Sequence, residues 1–179
     1  MRYFEEKQKM NAWWLYVIFG FQLTIIACIL IFSDELRGKA SRWDSFLYIL
    51  GVFSIPVLII VITQSSTLWY RIDETGITYK YFFFRPKKHI SWYSISSIHF
   101  RKYDAFSEYG GVGYRNKLWF KFRDRAYILN SENIGLQIEY SQHRRLLFST
   151  NKQDELFQFL INLKNLKPNL PFDTYVRER

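Results

Sequence analysis

The residues with the clearest chemical possibilities lie in YGGVGYR, Tyr109–Arg115, where three glycines occupy four positions beside an arginine. Glycine-rich loops hold phosphate when their amides lead into the first turn of a helix. A Walker loop also needs Lys followed by Ser or Thr, and the segment after these glycines, NKLWFKF, has a strand pattern instead. We therefore predict no nucleotide site. We expect a β-turn or bulge in which Gly110, Gly111 and Gly113 adopt backbone angles closed to other residues.

A second interpretation of the same segment is a recognition loop. Glycines let a partner approach the backbone closely, and a neighbouring basic side chain can meet an anionic group. The candidate interaction loop consists of Tyr109, Gly110, Gly111, Val112, Gly113 and Arg115.

Basic residues supply a further candidate surface. Lysine and arginine total 25 against 16 acidic residues, a net charge of +9. Near an anionic lipid leaflet each basic residue contributes about 1 kcal/mol of attraction. A solvated basic face is favoured over a specific headgroup pocket. The candidate basic surface consists of Lys87, Lys88, Lys121, Arg123, Arg144 and Arg145.

Residue patterns typical of enzymes are weak in this chain. His89, His99 and His143 are isolated and lack the spacing of metal ligands. Asp104 and Glu108 have a spacing that allows an acid–base pair, but no other residue supports one. No Ser or Cys lies in a recognisable nucleophile elbow. We predict that the protein is not an enzyme and has no metal or cofactor.

Two uncharged apolar runs dominate the first third of the chain, residues 12–32 and 46–62. About 20 residues of helix cross a hydrocarbon core of about 30 Å, so both runs are predicted to be transmembrane helices. A signal peptide and a buried core helix are the alternatives. Positive charge is greater on the side of the termini, which favours termini in the cytoplasm. The predicted location is therefore the inner (cytoplasmic) membrane, as a multi-pass protein.

The remainder of the chain has the pattern of strands followed by one helix. Apolar and β-branched runs separated by turn residues indicate about seven strands in roughly 80 residues, the spacing of a small antiparallel sandwich or barrel. Residues 152–166 switch to a helical period, with Thr150 or Asn151 as a possible cap. Pro168 follows this helix and ends it.

Three stretches between Leu68 and Leu163 carry a family resemblance: RIDETGITYKYFFFRPKKHISWYSISSI, EYGGVGYR and LLFSTNKQDELFQFL. In this order they resemble the bacterial PH-like (pleckstrin-homology-like) membrane proteins. Val112 and Tyr114 depart from the family's glycine loop. The resemblance implies an α+β fold in which a two-helix transmembrane hairpin precedes a PH-like seven-stranded antiparallel barrel or sandwich, capped by a carboxy-terminal helix. It implies no chemistry.

These observations predict the following division: a flank at 1–11, transmembrane helices at 12–32 and 46–63, a connector at 33–45, the PH-like domain at 64–167 and a tail at 168–179. The predicted role is a binding module at the membrane surface, with the bilayer and another membrane protein as partners and neither nucleic acid nor nucleotide. The alternative is sensing of anionic lipid headgroups by the basic face. The acidic turn at Asp73 and Glu74 argues against inositol-phosphate binding there.

Overall fold

The computed structural model describes residues 3–10, 13–32, 42–82, 86–118, 121–130, 132–141 and 143–177. The chain forms two compact units, Asn11–Ser65 and the combination of Met1–Met10 with Ser66–Arg179. Each unit is described by itself.

The Asn11–Ser65 unit contains helices α1 (Trp13–Phe32) and α2 (Arg42–Gln64). The described side chains of both helices are mostly apolar and exposed. Among the few polar ones, the Thr24 hydroxyl donates to the Gly20 carbonyl of its own helix at 2.9 Å, and the Gln64 amide of α2 donates to the Tyr16 phenol oxygen of α1. Apolar residues thus surround these helices on every described side, without the amphipathic stripe of a helix that packs on a core.

The side chains of α1 are described as far as Cys28 and those of α2 from Leu50. Within the part of the chain that is described, no helix has both the length and the apolar character needed to cross a membrane. A crossing takes about 20 consecutive apolar residues. On this finding the predicted transmembrane helices at 12–32 and 46–63 are wrong, and so is the predicted multi-pass location in the inner membrane.

The second unit consists of two sheets and two helices. One sheet has four strands in the order β1-β2-β3-β4, and all its neighbours are antiparallel. The other has six, in the order β10-β5-β8-β9-β7-β6, with parallel pairs β10–β5 and β7–β9. The strands are β1 (Tyr3–Lys9), β2 (Thr67–Asp73), β3 (Gly76–Tyr81), β4 (Lys88–Ser91), β5 (Ile95–Lys102), β6 (Gly113–Lys117), β7 (Lys121–Ile128), β8 (Ile134–Tyr140), β9 (Arg144–Ser149) and β10 (Phe172–Arg177).

The predicted fold, a two-helix transmembrane hairpin followed by a seven-stranded PH-like barrel, is therefore wrong. The described residues form ten strands in sheets of four and six. Two of the additional strands come from segments predicted as a flank and a tail. Alternate side chains of β1, YFEEKQK, are buried although most are polar. Because the sequence of β1 is mostly charged and polar, its pattern did not predict a strand. In β10, FDTYVR, the parallel pairing with β5 depends on a distant segment of the chain.

The helices of this unit are α3 (Ala105–Tyr109) and α4 (Gln153–Leu166), and a 3₁₀ turn spans Trp92–Ser94. The helix predicted at residues 152–166 is confirmed by α4. Its apolar residues fall at helical spacing and pack onto the inner faces of the sheets. The core that they share with the sheets includes Leu68, Tyr70, Ile72, Ile77, Ile98, Phe100, Leu136, Ile138, Leu146, Phe148, Leu156, Leu160, Leu163 and Phe172.

Strand β1 pairs with β2 along its whole length, from Tyr3 opposite Asp73 to Lys9 opposite Thr67. The Met10 amide continues the pairing by donating to the Ser66 carbonyl at 3.3 Å. The helical unit is therefore inserted between two adjacent antiparallel strands, and the chain leaves and re-enters the sheet at neighbouring positions.

A buried carboxylate holds β1 in place. Glu6 is 4% exposed, and its Oε2 accepts hydrogen bonds from the Tyr70 phenol at 2.5 Å and the Thr150 hydroxyl at 2.7 Å. Its Oε1 accepts from the Gln8 amide and from the Asn151 backbone N–H, both at 2.8 Å. Burial and the adjacent Glu6 raise the pKa of Tyr70 well above its ordinary value, so this phenol keeps its proton and donates. Four neutral donors thus satisfy one buried carboxylate.

Glu6→Ala is expected to lower the free energy of unfolding by about 3 kcal/mol or more, because each buried donor left unpaired costs about 1–3 kcal/mol. The measurement is urea unfolding followed by circular dichroism. The control is Glu5→Ala on the same strand, where an exposed carboxylate accepts one bond from the Trp69 indole at 2.7 Å. Equal losses in the two variants would contradict the role assigned to Glu6.

Candidate interaction surface

The glycine-rich segment begins as the end of helix α3. The Asp104 carboxylate caps the start of this helix by accepting from the Phe106 and Ser107 amides at 2.9 and 3.1 Å. Gly110 ends it in the left-handed conformation, at φ 72° and ψ 25°, and its N–H bonds back to the Phe106 carbonyl at 3.0 Å. The Asp104 side chain therefore determines where this five-residue helix starts, and the left-handed backbone of Gly110 determines where it stops.

The predicted backbone angles of the glycines are confirmed. Gly110, Gly111 and Gly113 have φ values of 72°, 121° and 104°, in the range that residues with a side chain rarely adopt. The turn itself differs from the predicted β-turn or bulge, because it is the carboxy-terminal cap of a helix that leads into β6. The sequence predicted a strand after the glycines but did not indicate a helix before them.

Beneath α3 lies a cluster of charged and phenolic side chains. The Arg101 guanidinium donates to Glu108 Oε2 and to the Tyr109 hydroxyl, both at 2.9 Å. The Lys117 ammonium lies 3.3 Å from the same Glu108 oxygen and 3.8 Å from Asp124 Oδ2. The Tyr109 hydroxyl donates in turn to Asp124 Oδ1 at 3.2 Å. Two cations and two carboxylates thus attach α3 to strands β5, β6 and β7.

The electrostatics of Glu108 follow from these contacts. Partial burial would raise the pKa of Glu108, but the Asp104 amide, Arg101 and Lys117 outweigh this effect and hold the pKa below its usual value. Burial and the neighbouring Asp124 raise the pKa of Tyr109 far above its usual value, so its phenol remains a donor. The acid–base pair considered for Asp104 and Glu108 is thus made of two carboxylates that already hold the local structure.

The six residues of the predicted interaction loop are not equally accessible. Tyr109 is 2% exposed, and Val112 packs against the small core cluster under α3. Gly111 and Gly113 are buried, whereas Gly110 and Arg115 are exposed. The Arg115 Nε donates to the Val112 carbonyl at 3.2 Å. Four of the six residues are therefore buried or partly buried, and a binding role for this loop stays a prediction.

The most exposed apolar side chain near the glycines is Phe106, which the sequence did not single out. Phe106 is 74% exposed on α3, and its ring lies 3.8 Å from the position that a Cβ on Gly111 would occupy. Leu118, 38% exposed, follows β6, and its amide donates to the Glu108 carbonyl at 2.8 Å. Strand alternation in the sequence cannot reveal the exposure of Phe106, because Phe106 lies on a short helix that depends on the Asp104 and Gly110 caps. We call Phe106, Gly110, Arg115 and Leu118, together with the backbone of β6, the β6 surface.

Strand β6 is the last strand of its sheet. It pairs with β7, from Gly113 opposite Ile128, and with no other strand in the described part of the chain. Arg115 and Asn116 on this strand are exposed. An outer strand leaves one row of backbone N–H and C=O groups available to a further strand.

The six residues of the predicted basic surface do not form one face. The Lys87 ammonium lies 4.9 Å from the ring centre of Trp69 on the four-stranded sheet. The Arg145 guanidinium contacts the Glu139 carboxylate at 2.9 Å on the six-stranded sheet. Arg144 and Arg145 are consecutive in β9, so their side chains leave opposite faces. Lys88 and Arg123 are exposed in β4 and β7, and the side chain of Lys121 lies outside the described residues.

The three histidines are distributed over separate strands and turns. His89 Nδ1 lies 2.9 Å from the Thr78 hydroxyl, and the buried His99 lies 3.4 Å from the Ser97 hydroxyl. His143 occupies a turn at φ 66°. No three His, Cys, Asp or Glu side chains are grouped as metal ligands in the described ranges.

Comparison with known proteins finds no matching family model, no matching curated protein and no matching solved structure. The resemblance to bacterial PH-like proteins therefore stays a prediction. What can be said of function rests on the residues of this chain.

Glu108→Gln is expected to lower the free energy of unfolding at pH 7 by about 1–3 kcal/mol, because it weakens charged hydrogen bonds in a partly buried cluster. A carboxyl whose pKa is lower in the folded state stabilises that state at pH values above its unfolded pKa, about 4.3. This stabilisation is lost as the pH falls through the folded-state pKa. The variant should therefore lose less stability than the wild type between about pH 6 and pH 3.

The measurement is a series of urea unfolding curves over that pH range. The control is Glu155→Gln, whose carboxylate is 64% exposed and pairs with Lys152 at 3.0 Å. If the free energy of unfolding changed with pH in the same way in the wild type and in Glu108→Gln, the lowered pKa assigned to Glu108 would be contradicted.

Proposed function

We propose that this chain is a non-catalytic protein-interaction module that binds an extended segment of a partner protein at the β6 surface. The observation that carries the proposal is the exposed Phe106 side chain, fixed beside the outer strand of the six-stranded sheet.

The backbone of β6 supplies the first part of the interaction. A partner segment that adds a strand to a sheet gains main-chain hydrogen bonds, and pockets or side chains near the edge provide the selectivity. β6 has five residues, Gly113–Lys117, and exposes Arg115 and Asn116. Its short length limits unselective pairing with other chains. Selectivity then depends on the side chains around the strand.

Phe106 supplies the second part, an apolar anchor. Buried aromatic side chains provide much of the binding free energy at protein interfaces. The anchor is already ordered, because Asp104 and Gly110 cap its helix and Arg101 binds Glu108 beneath it. Little conformational entropy remains to be lost when a partner binds. A rigid, exposed aromatic residue beside an open strand edge thus favours binding over a purely structural role.

The alternative, sensing of anionic lipid headgroups by the whole predicted basic surface, has less support. Its residues are divided between two sheets and between two faces of one sheet. Arg145, moreover, is neutralised by Glu139. Basic residues that do not lie on one face provide little more than a general electrostatic attraction to an anionic membrane, which salt screens over about 8–10 Å.

The proposal is tested by placing a photoreactive phenylalanine analogue at position 106 of the full chain in its native cells. Illumination should give one discrete crosslinked protein, identified by mass spectrometry. The control places the same analogue at Tyr93, which is fully exposed on the 3₁₀ turn. Added wild-type protein should compete for the crosslinked partner, and Phe106→Ala protein should compete at least about tenfold less well, since hot-spot residues contribute about 2 kcal/mol or more.

Two results would overturn the proposal. One is the same crosslinked products from positions 93 and 106. The other is equal competition by wild-type and Phe106→Ala proteins.

A further inference from the structure

Three cations lie on the inner faces of the two sheets at one end of the strand sandwich. Residues directly opposite each other on paired strands share a face. Lys88 is opposite the buried Tyr79, and Arg125 is opposite the buried Leu146. Arg144 alternates with Leu146 along β9 and therefore leaves the same inner face. The three side chains are exposed, because they extend from the core toward solvent.

Aromatic contacts between the sheets bring these cations to the same end. The Tyr79 ring on β3 lies 5.7 Å from the Tyr127 ring on β7 and 5.3 Å from the Phe148 ring on β9. β3 therefore crosses over β7 and β9 two residues beyond Arg125 and Leu146. β4 is the next strand after β3 in the four-stranded sheet, and Lys88 lies directly opposite Tyr79.

The pKa of Tyr79 is raised by its surroundings. Burial raises the pKa of Tyr79 to about 12; the Tyr140 phenol adds to the rise and the Arg125 guanidinium opposes it. Tyr140, opposite Arg144 across β8 and β9, thus belongs to the same group. The phenol of Tyr79 keeps its proton at neutral pH. We call Lys88, Arg125, Arg144, Tyr79 and Tyr140 the cationic end.

No carboxylate neutralises this group among the residues that the structure describes. The ion pairs of the unit involve Arg71, Arg101, Lys117, Arg145 and Lys152. Glu139 and Asp124, the acidic residues on the nearest strands, lie on the outer face and contact Arg145 and Lys117. None of these three cations has a carboxylate partner in the described residues, and an anion bound among them would relieve the repulsion between their like charges.

We propose that the cationic end is a binding site for a phosphate-bearing anion, with Lys88, Arg125 and Arg144 as its charge partners and the Tyr140 phenol as a further donor. Guanidinium groups bind phosphate oxygens through paired N–H donors, and an ammonium adds a point charge. A singly charged carboxylate would neutralise one of the three cations, whereas a phosphate ester or pyrophosphate carries enough charge to engage all of them. The site stands on residues other than the β6 surface and does not depend on the proposed protein interaction.

The test is isothermal titration of the full chain with pyrophosphate at constant ionic strength. Saturable binding with one site per chain is expected. The double variant Arg125→Gln/Arg144→Gln should bind about tenfold or more weakly, because two charged hydrogen-bond partners are lost. The matched control Arg145→Gln/Lys152→Gln removes the same charge from two residues that already have carboxylate partners, and it should stay within about twofold of the wild type.

Unchanged circular dichroism and urea midpoints should accompany both double variants, because the substituted side chains are exposed. Absence of saturable binding, or equal weakening in the two double variants, would overturn the proposal.

Vesicle flotation distinguishes the two sources of such a phosphate. The wild type is mixed with phosphatidylcholine vesicles that contain either phosphatidic acid, a phosphate monoester, or phosphatidylserine. Flotation that requires phosphatidic acid, is displaced by pyrophosphate and is lost in Arg125→Gln/Arg144→Gln assigns the site to a lipid headgroup. Pyrophosphate binding without such flotation assigns it to a soluble phosphate ester. Flotation that the double variant retains, without pyrophosphate binding, would exclude the site.

Discussion

The buried Glu6 carboxylate is the constraint on which the two-sheet unit depends. Removing a carboxylate from water costs several kcal/mol unless hydrogen bonds replace its hydration. Here the replacement donors come from three distant parts of the chain: β1 itself, β2 and the turn between β9 and α4. The bond from the Asn151 amide also lies just before the first turn of α4, where the helix dipole favours negative charge. One side chain therefore joins the sheet edge to the closing helix.

This constraint determines how β1 is held at the edge of its sheet. β1 is an edge strand with mostly polar side chains, and Phe4 is its one apolar side chain buried in the core. With Glu6 in place, β1 stays in register with β2. Helix α3 follows the same physical rule on a smaller scale. Its five residues are too few for a stable isolated helix, and the Arg101–Glu108 pair and the Asp104 cap hold it in position.

The extent to which sequence predicted the structure follows from the range of the interactions. The helix at α4 and the glycine angles are local, since helical spacing and the absence of a Cβ act within a few residues. The strand character of β1 and β10 and the exposure of Phe106 are not local. Each of the two strands pairs with a segment far away in sequence, and the exposure of Phe106 depends on how α3 packs against β5, β6 and β7. Length and apolar composition alone led to membrane-spanning helices, which the described helices do not support.

The sequence by itself determined the glycine turn after Tyr109, the alternation of β2 and β3, and the amphipathic helix that begins after Lys152. These features need only neighbouring residues, because backbone sterics and side-chain periodicity act over short distances. Tertiary structure alone decided that Glu6 is buried, that Phe106 is exposed and that Arg125 and Arg144 face the same side of their sheet as the buried Leu146. Their environments arise from strand pairing and from the packing of one sheet on the other, and such contacts join residues whose separation along the chain carries no periodic signal.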